Sequence, residues 1–223
     1  MNRDQELAAV AAIRDPARRA LYELTLTSTG PVTRDHAAAA LGMPRSTAAL
    51  HLDQLVASGL LVVENRRLSG RSGPGAGRPA KVYSRAPVEI AVSLPARRYD
   101  LMADVFASAL DDLDAGEGSG DPRTDGAVAT AVHHAAGEAG ADARRSAESL
   151  DDMLVETGYE PRHEADGITL DNCPFHRLAG DHAELVCAAN LAFLRGAVAA
   201  DGSGASAEPQ PFPAHGCCVR IVG

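Results

Sequence analysis

The chain has 223 residues and a net charge of −9, enough for one large domain or two of about 100 residues each. No segment approaches the roughly 18 consecutive apolar residues of a membrane span. The opening "MNRDQELAAVAAIRDPARRALYEL" is too interrupted by charge for a signal peptide, so the expectation is a soluble cytoplasmic protein. With Trp absent and aromatics at 4%, the core falls to Ala, Leu and Val, a composition that favours helices.

In chain order, residues 5–13 and 16–28 read as helices, the second announced by Asp15-Pro16, a cap followed by proline at the first helical position. "STGPVT" (28–33) is a loop, and Thr33 caps a short helix that ends near Leu41 at a turn centred on Gly42. A third helix runs from about Pro44 to Ser58, and Gly59 stops it. "LLVVENRRL" (60–68) and "KVYSRA" (81–86) read as the two strands of a hairpin with a long Gly-rich tip. Residues 93–113 form an amphipathic helix with Leu94, Leu101, Met102, Val105, Phe106, Ala109 and Leu113 in one stripe. Residues 114–126 are a linker, 127–147 an Ala-rich helix and 147–157 another. Asp166-Gly167 marks a hairpin within 159–173, residues 175–199 form a long helix, 201–216 are irregular, and "CCVRIV" (217–222) is a final strand. The expected class is α+β and mainly helical, divided as 1–88, a connector helix at 89–116, and 117–223 with a small antiparallel sheet.

The charge is unevenly spread. Residues 1–100 carry 14 Lys/Arg against 9 Asp/Glu, whereas residues 101–223 carry 7 against 21, which suggests two domains with different partners. The stretch 32–61 has the layout of a helix-turn-helix. Ala48, Leu52 and Leu55 turn toward a core, and Arg45, Ser46, Thr47 and His51 are offered to base edges in a major groove. The hairpin adds Arg66, Arg67, Arg71, Arg78, Lys81 and Arg85 with no acidic residue between them, suited to a phosphate backbone or a minor groove. Residues 5–86 resemble the winged helix repressors of the ArsR, MarR and DeoR type. One departure is Leu50, which stands where a polar side chain often faces DNA and is left to pack on a neighbour or touch a thymine methyl. Repressors of this kind read paired half-sites, so the helix at 93–113 is expected to join two copies over double-stranded DNA with a palindromic operator.

The four cysteines, Cys173, Cys187, Cys217 and Cys218, all lie in the last 51 residues, and none forms a CxxC knuckle. "CPFH" sets His176 three residues after Cys173, and His182 and His215 are further candidates. On a final strand Cys217 and Cys218 would face opposite sides, with Cys217 inward. The chemistry leaves three readings: a metal or cluster on thiolates, thiol redox, or buried core cysteines. Three Cys plus His176 would close a tetrahedral zinc site, and three Cys with an open iron would hold a labile cluster. A winged helix domain, the "SLPARRYDL" segment and the C-terminal cysteines together resemble the SufR group of iron–sulfur repressors and their actinobacterial relatives. That resemblance implies a cluster held by C-terminal cysteines and controlling operator binding, with Cys173, Cys187 and Cys217 at the matching positions. The Cys217-Cys218 pair and "CPFH" depart from the group and leave the fourth ligand open.

No nucleophile elbow, phosphate loop or acid/base pair is legible, so an enzyme is not expected. The alternative to cluster sensing is a winged helix regulator that takes a small organic ligand, its cysteines structural.

Overall fold

Local capping chemistry sets the first helices. In the computed structural model, which describes residues 2–67, 79–114, 126–211 and 216–223, Asn2 and Gln5 form a reciprocal capping box that opens α1 (Arg3–Ala12). Asp15 accepts the Arg18 backbone N–H ahead of Pro16, and α2 runs Pro16–Thr27. Thr33 caps α3 (Arg34–Leu41), Gly42 ends it with a left-handed φ of 61°, and α4 (Arg45–Ala57) follows. Gly42 is needed there because a side chain in that conformation is strained.

Three strands complete this region: β1 (Val32–Thr33), β2 (Leu61–Arg66) and β3 (Ala80–Arg85), antiparallel in the order β1-β3-β2. The hairpin strands fall where the sequence predicts them. β1 was not expected, because two residues carry no alternation; it exists through pairing of Val32 with Tyr83 and Thr33 with Val82. Leu21, Ala37, Ala48, Leu52, Leu55, Leu61 and Tyr83 form the core. The Gly-rich tip, with Arg71 and Arg78, lies outside the described residues.

The chain divides into two compact units, Met1–Val92 and Ser93–Gly223. The second begins with α5 (Tyr99–Asp114), which starts later than the predicted helix. Pro95 disfavours helical backbone at the residue before it, and the Ser93 hydroxyl accepts the Arg97 backbone N–H instead. Leu94 therefore leaves the apolar stripe and is 75% exposed. Met102, Val105 and Ala109 are buried in this unit's own core. The face expected to meet a second copy is thus covered within the chain.

α6 (Ala127–Ser146) and α7 (Leu150–Glu156) lead to a second antiparallel sheet. It is formed by β4 (Pro161–Glu164), β5 (Gly167–Leu170), β6 (Ser206–Pro209) and β7 (Val219–Val222) in the order β4-β5-β7-β6. The β4–β5 turn is Ala165-Asp166, one residue earlier than predicted, because Glu164 pairs with Gly167. Gly167 is instead a close-approach residue: a Cβ there would lie 2.0 Å from the Ile221 carbonyl oxygen. β6 falls inside the stretch expected to be irregular; "SAEP" has no β-branched signal and is ordered by pairing with β7.

Between β5 and β6 runs α8 (His176–Asp201), kinked at His182 (φ −134°, ψ 44°). It is long and apolar enough, by length and composition alone, to cross a membrane. In the fold it is the central core helix, burying Val186, Ala189, Phe193, Leu194 and Ala197. Glycines bring α6 and α8 into backbone contact. A Cβ at Gly140 would lie 1.9 Å from the Phe193 carbonyl oxygen, and one at Gly196 would lie 1.9 Å from that of Gly137. The architecture is α+β and mainly helical, as expected.

Candidate functional site

Two constellations carry chemistry, one in each unit. In the first, α3, the Gly42 turn and α4 form the helix-turn-helix, with Ala48, Leu52 and Leu55 holding α4 on the core. No side chain caps α4 behind Pro44, so its first backbone N–H groups remain suited to an anion. Arg45 and Ser46 are exposed, and Thr47 and His51 are half-buried on the same end of the helix. Arg45 lies 2.5 Å from Asp35 in an exposed pair, a contact of little worth in water that a phosphate can replace. His51 shares a hydrogen bond of 3.2 Å with Gln54. Leu50 is 58% exposed. More than half of its side chain is therefore left uncovered within the chain. Arg66 and Arg67 are exposed at the end of β2.

Lys81 has a different position. Its Nζ lies 3.3 Å from Asp53 of α4, which also accepts from Arg34 at 2.5 Å and from the Tyr83 hydroxyl at 2.7 Å. Arg34 in turn donates to the Tyr83 oxygen and lies over its ring. Burial pushes the Asp53 carboxyl up, but the donors from Tyr83, Arg34 and Lys81 outweigh it and hold the group below its ordinary value. Burial, with the bond to Asp53, pushes the Tyr83 hydroxyl up to about 12. This network ties α4 to α3 and the hairpin, fixing the angle at which the recognition helix and the wing strands are presented together.

In the second unit the four cysteines, more than a dozen residues apart in three segments, come together. Cys173 neighbours Cys217, Cys217 neighbours Cys218, and Cys218 neighbours Cys187, each near enough to shift the other's titration. Cys173, Cys217 and Cys218 are buried and Cys187 is half-buried. The prediction that only one of the vicinal pair faces inward is corrected. β7 begins at Val219, so strand alternation does not govern Cys217 and Cys218, which are 0% and 7% exposed.

The thiols shift one another in opposite directions. Cys173 is lowered, first by the bond from Cys217. Cys217 is raised by its bonds to Cys173 and Cys218 and by burial. Cys218 is lowered to about 6, first by Cys217, with burial opposing and Cys187 and Asn190 helping. Cys187 is pushed up to about 12, first by burial. A groove of about 360 Å³, lined by Cys187, Cys218, Glu184, Leu191, Gln210 and Val219, opens the Cys187 end to solvent.

Sequence reasoning missed the polar groups around the thiols. Asn190, 1% exposed on α8, donates its amide N–H to the Cys217 Sγ at 3.0 Å, with the Cys218 Sγ at 3.9 Å. Its Oδ1 accepts from the Tyr159 hydroxyl at 2.5 Å. Tyr159 is itself buried edge-on to Phe175. The available signal was Asn190 three residues after Cys187 in the otherwise apolar stretch 185–194, the spacing that puts two side chains on one face.

A second polar clamp holds the loop before α8. Arg97 donates to the Asn172 Oδ1 at 2.5 Å and to the Cys173 carbonyl at 3.2 Å. Asn172 returns its amide to the carbonyls of Ala96 and Gly158, and the Arg98 N–H bonds to the Pro174 carbonyl. Residues 96–98, near the start of the second unit, are therefore stitched to the loop carrying Cys173.

His176 opens α8 half-buried, its backbone N–H on the Cys173 carbonyl. His182 sits at the α8 kink. His215 lies outside the described residues. Among the described residues, no three His, Cys, Asp or Glu side chains are grouped closely enough to hold a single metal ion. Iron–sulfur clusters are held by Cys thiolates spread over more than one iron, two on each iron of a [2Fe–2S] centre, and four soft donors in one region suit that chemistry.

Residues 14–64 match the family model of a helix-turn-helix domain. No curated protein and no solved structure matches the chain. The match spans α2, α3, α4 and the start of the hairpin, the same elements whose geometry presents Arg45, Ser46 and Thr47. The N-terminal unit is a helix-turn-helix domain, which supports a DNA-binding transcriptional regulator.

Proposed function

We propose that the chain is a dimeric, cytoplasmic repressor whose grip on a palindromic operator is set by an iron–sulfur cluster on Cys173, Cys187 and Cys217, with Cys218 as the adjoining thiolate. The observation that carries this reading is the gathering of four thiols, three of them buried, from segments far apart in sequence, with an amide donor aimed at Cys217. A structural role alone calls for neither a gathered set of thiols nor a polar donor in an apolar core.

On the DNA side, Arg45, Ser46, Thr47 and Leu50 meet base edges, and Arg66 and Arg67 meet phosphates beside them. At the thiol centre, a bound cluster supplies an oxidant-sensitive redox couple. The chain's own part is to hold the sulfurs, exclude bulk water from three of them and leave the Cys187 end open through the groove. Movement of Cys173 is passed through Asn172 and Arg97 to the segment that leads to the DNA-binding unit. Ligation thus biases an equilibrium between two arrangements of the recognition helices. The two-fold contact must use a surface other than Met102, Val105 and Ala109 of α5.

The test is anaerobic reconstitution with ferrous iron and sulfide, followed by a visible spectrum, iron and sulfide analysis and operator binding. A broad visible absorbance with stoichiometric iron and sulfide, lost in Cys173→Ser, is the expected result. Colourless protein free of iron after reconstitution refutes the cluster, and a monomer on DNA refutes the dimer.

A further inference from the structure

The side-chain amide of Asn190, buried in the core of the second unit, ends on sulfur. A buried asparagine is costly in an apolar core unless its donors and acceptor are used. Here the acceptor is taken by Tyr159 and one donor by Cys217. The hydroxyl of Tyr159 donates to the Asn190 Oδ1. That fixes the amide with its oxygen toward the ring and its NH2 toward the sulfurs. Phe175, edge-on to Tyr159, holds the ring in turn.

We infer that Asn190, oriented by Tyr159, is a positioning residue of the thiol centre, its N–H holding the Cys217 sulfur and favouring it as a thiolate ligand for a soft metal. This rests on the reading that the thiols bind metal, and it adds the residues that set the strength of binding. The physical basis is that an N–H donor stabilises sulfur more as its negative charge grows, so the bond is stronger in the ligated state than in the free thiol. Partners of this kind behind metal ligands typically change affinity by about ten- to a hundredfold.

A purely structural Asn–Tyr pair predicts something different. Replacing both partners by apolar residues of similar shape is close to neutral for folding, whereas replacing one strands the other. The double variant Tyr159→Phe/Asn190→Leu therefore separates the roles. The probe is Cd2+, which two neighbouring thiolates are enough to hold, titrated into the reduced full-length chain against a competing chelator and read by the sulfur-to-cadmium absorbance. Thermal melts of the metal-free proteins check the fold.

The double variant is expected to melt near the wild type and to bind Cd2+ ten- to a hundredfold more weakly. Tyr159→Phe alone, which keeps the amide but frees it to rotate, is expected to show a smaller loss. Equal Cd2+ affinity in the wild type and the folded double variant overturns the inference. So does a wild type that takes no Cd2+. A wild type that binds Cd2+ tightly, and more tightly than the double variant, yet assembles no cluster from iron and sulfide, keeps the role of Asn190 and removes only the cluster.

Discussion

Gly140→Ala, on the face of α6 that meets α8, is expected to destabilise the second unit, although alanine is the better helix former. The added Cβ would lie 1.9 Å from the Phe193 carbonyl oxygen and 2.7 Å from its carbon. Restoring an ordinary contact requires the helices to part by roughly 1.5 Å. Both atoms are backbone, so no side-chain rotation relieves the overlap. Alanine gains about 1 kcal/mol over glycine in a helix interior, while overpacking costs about 1–3 kcal/mol or more. The contact joins the two longest helices of the chain, and parting them also loosens Ala136, Ala189 and Phe193. The net expectation is a loss of about 2 kcal/mol. Gly137→Ala, one turn earlier, is the control. Its Cβ would meet only the Ala192 carbonyl oxygen, at 3.8 Å, so the helix-propensity gain of about 0.5–1 kcal/mol is kept. In thermal melts followed by circular dichroism, a chain of this size shifts by about 2–4 °C per kcal/mol. Gly140→Ala should lower one transition by about 5 °C, and Gly137→Ala should raise the same transition by about 2 °C. A Gly140→Ala protein melting at or above the wild type refutes the close-approach argument.

In the first unit, Asp53→Asn should cost about 1 kcal/mol, the value of a half-exposed network after solvent screening. Because the folded carboxyl is held below its ordinary value of 3.8, this advantage of the wild type is full above that value and is lost as pH falls through the folded one. Denaturation of both proteins between pH 7 and pH 3 checks it; a gap that widens in acid contradicts the sign. Arg66→Ala and Arg67→Ala should each weaken operator binding about equally for all sequences and reduce the salt-dependence slope by about one. A change confined to one base position would instead mark base reading. Asn172→Ala removes one of three acceptors of Arg97, which keeps the carbonyls of Ala96 and Cys173, and takes the side-chain donor from the Gly158 carbonyl; it should cost about 1–2 kcal/mol. If the clamp transmits the signal, the variant also narrows the difference in operator affinity between loaded and unloaded protein. An unchanged difference, read by fluorescence anisotropy, removes the clamp from the pathway.

Much of the first unit was legible because its signals are local. Asp15-Pro16, Thr33, Gly42 and Gly59 each specify a cap or a turn through their own backbone preferences, and Ala48, Leu52 and Leu55 declare a face by period alone. The order of helix, turn, helix and basic hairpin then carried the DNA reading. The second unit was legible in its helices and less so in its chemistry. The Asp166-Gly167 signal was real but misassigned by one residue, because Gly167 answers to the approach of β7 rather than to the turn. Leu94 obeyed helical spacing yet lies outside α5, since the constraint of Pro95 outweighs a shared period.

The sequence by itself determined the helices, the basic hairpin strands and the clustering of four cysteines late in the chain. Tertiary structure alone decided that those thiols come together, that Cys218 is buried as Cys217 is, and that Asn190 and Tyr159 stand behind them. The reason is physical. Caps and periods are written in neighbouring residues, whereas a sulfur's partner is chosen by where α8, β7 and the loop before α8 meet. That meeting depends on a glycine contact between α6 and α8 that no local pattern encodes.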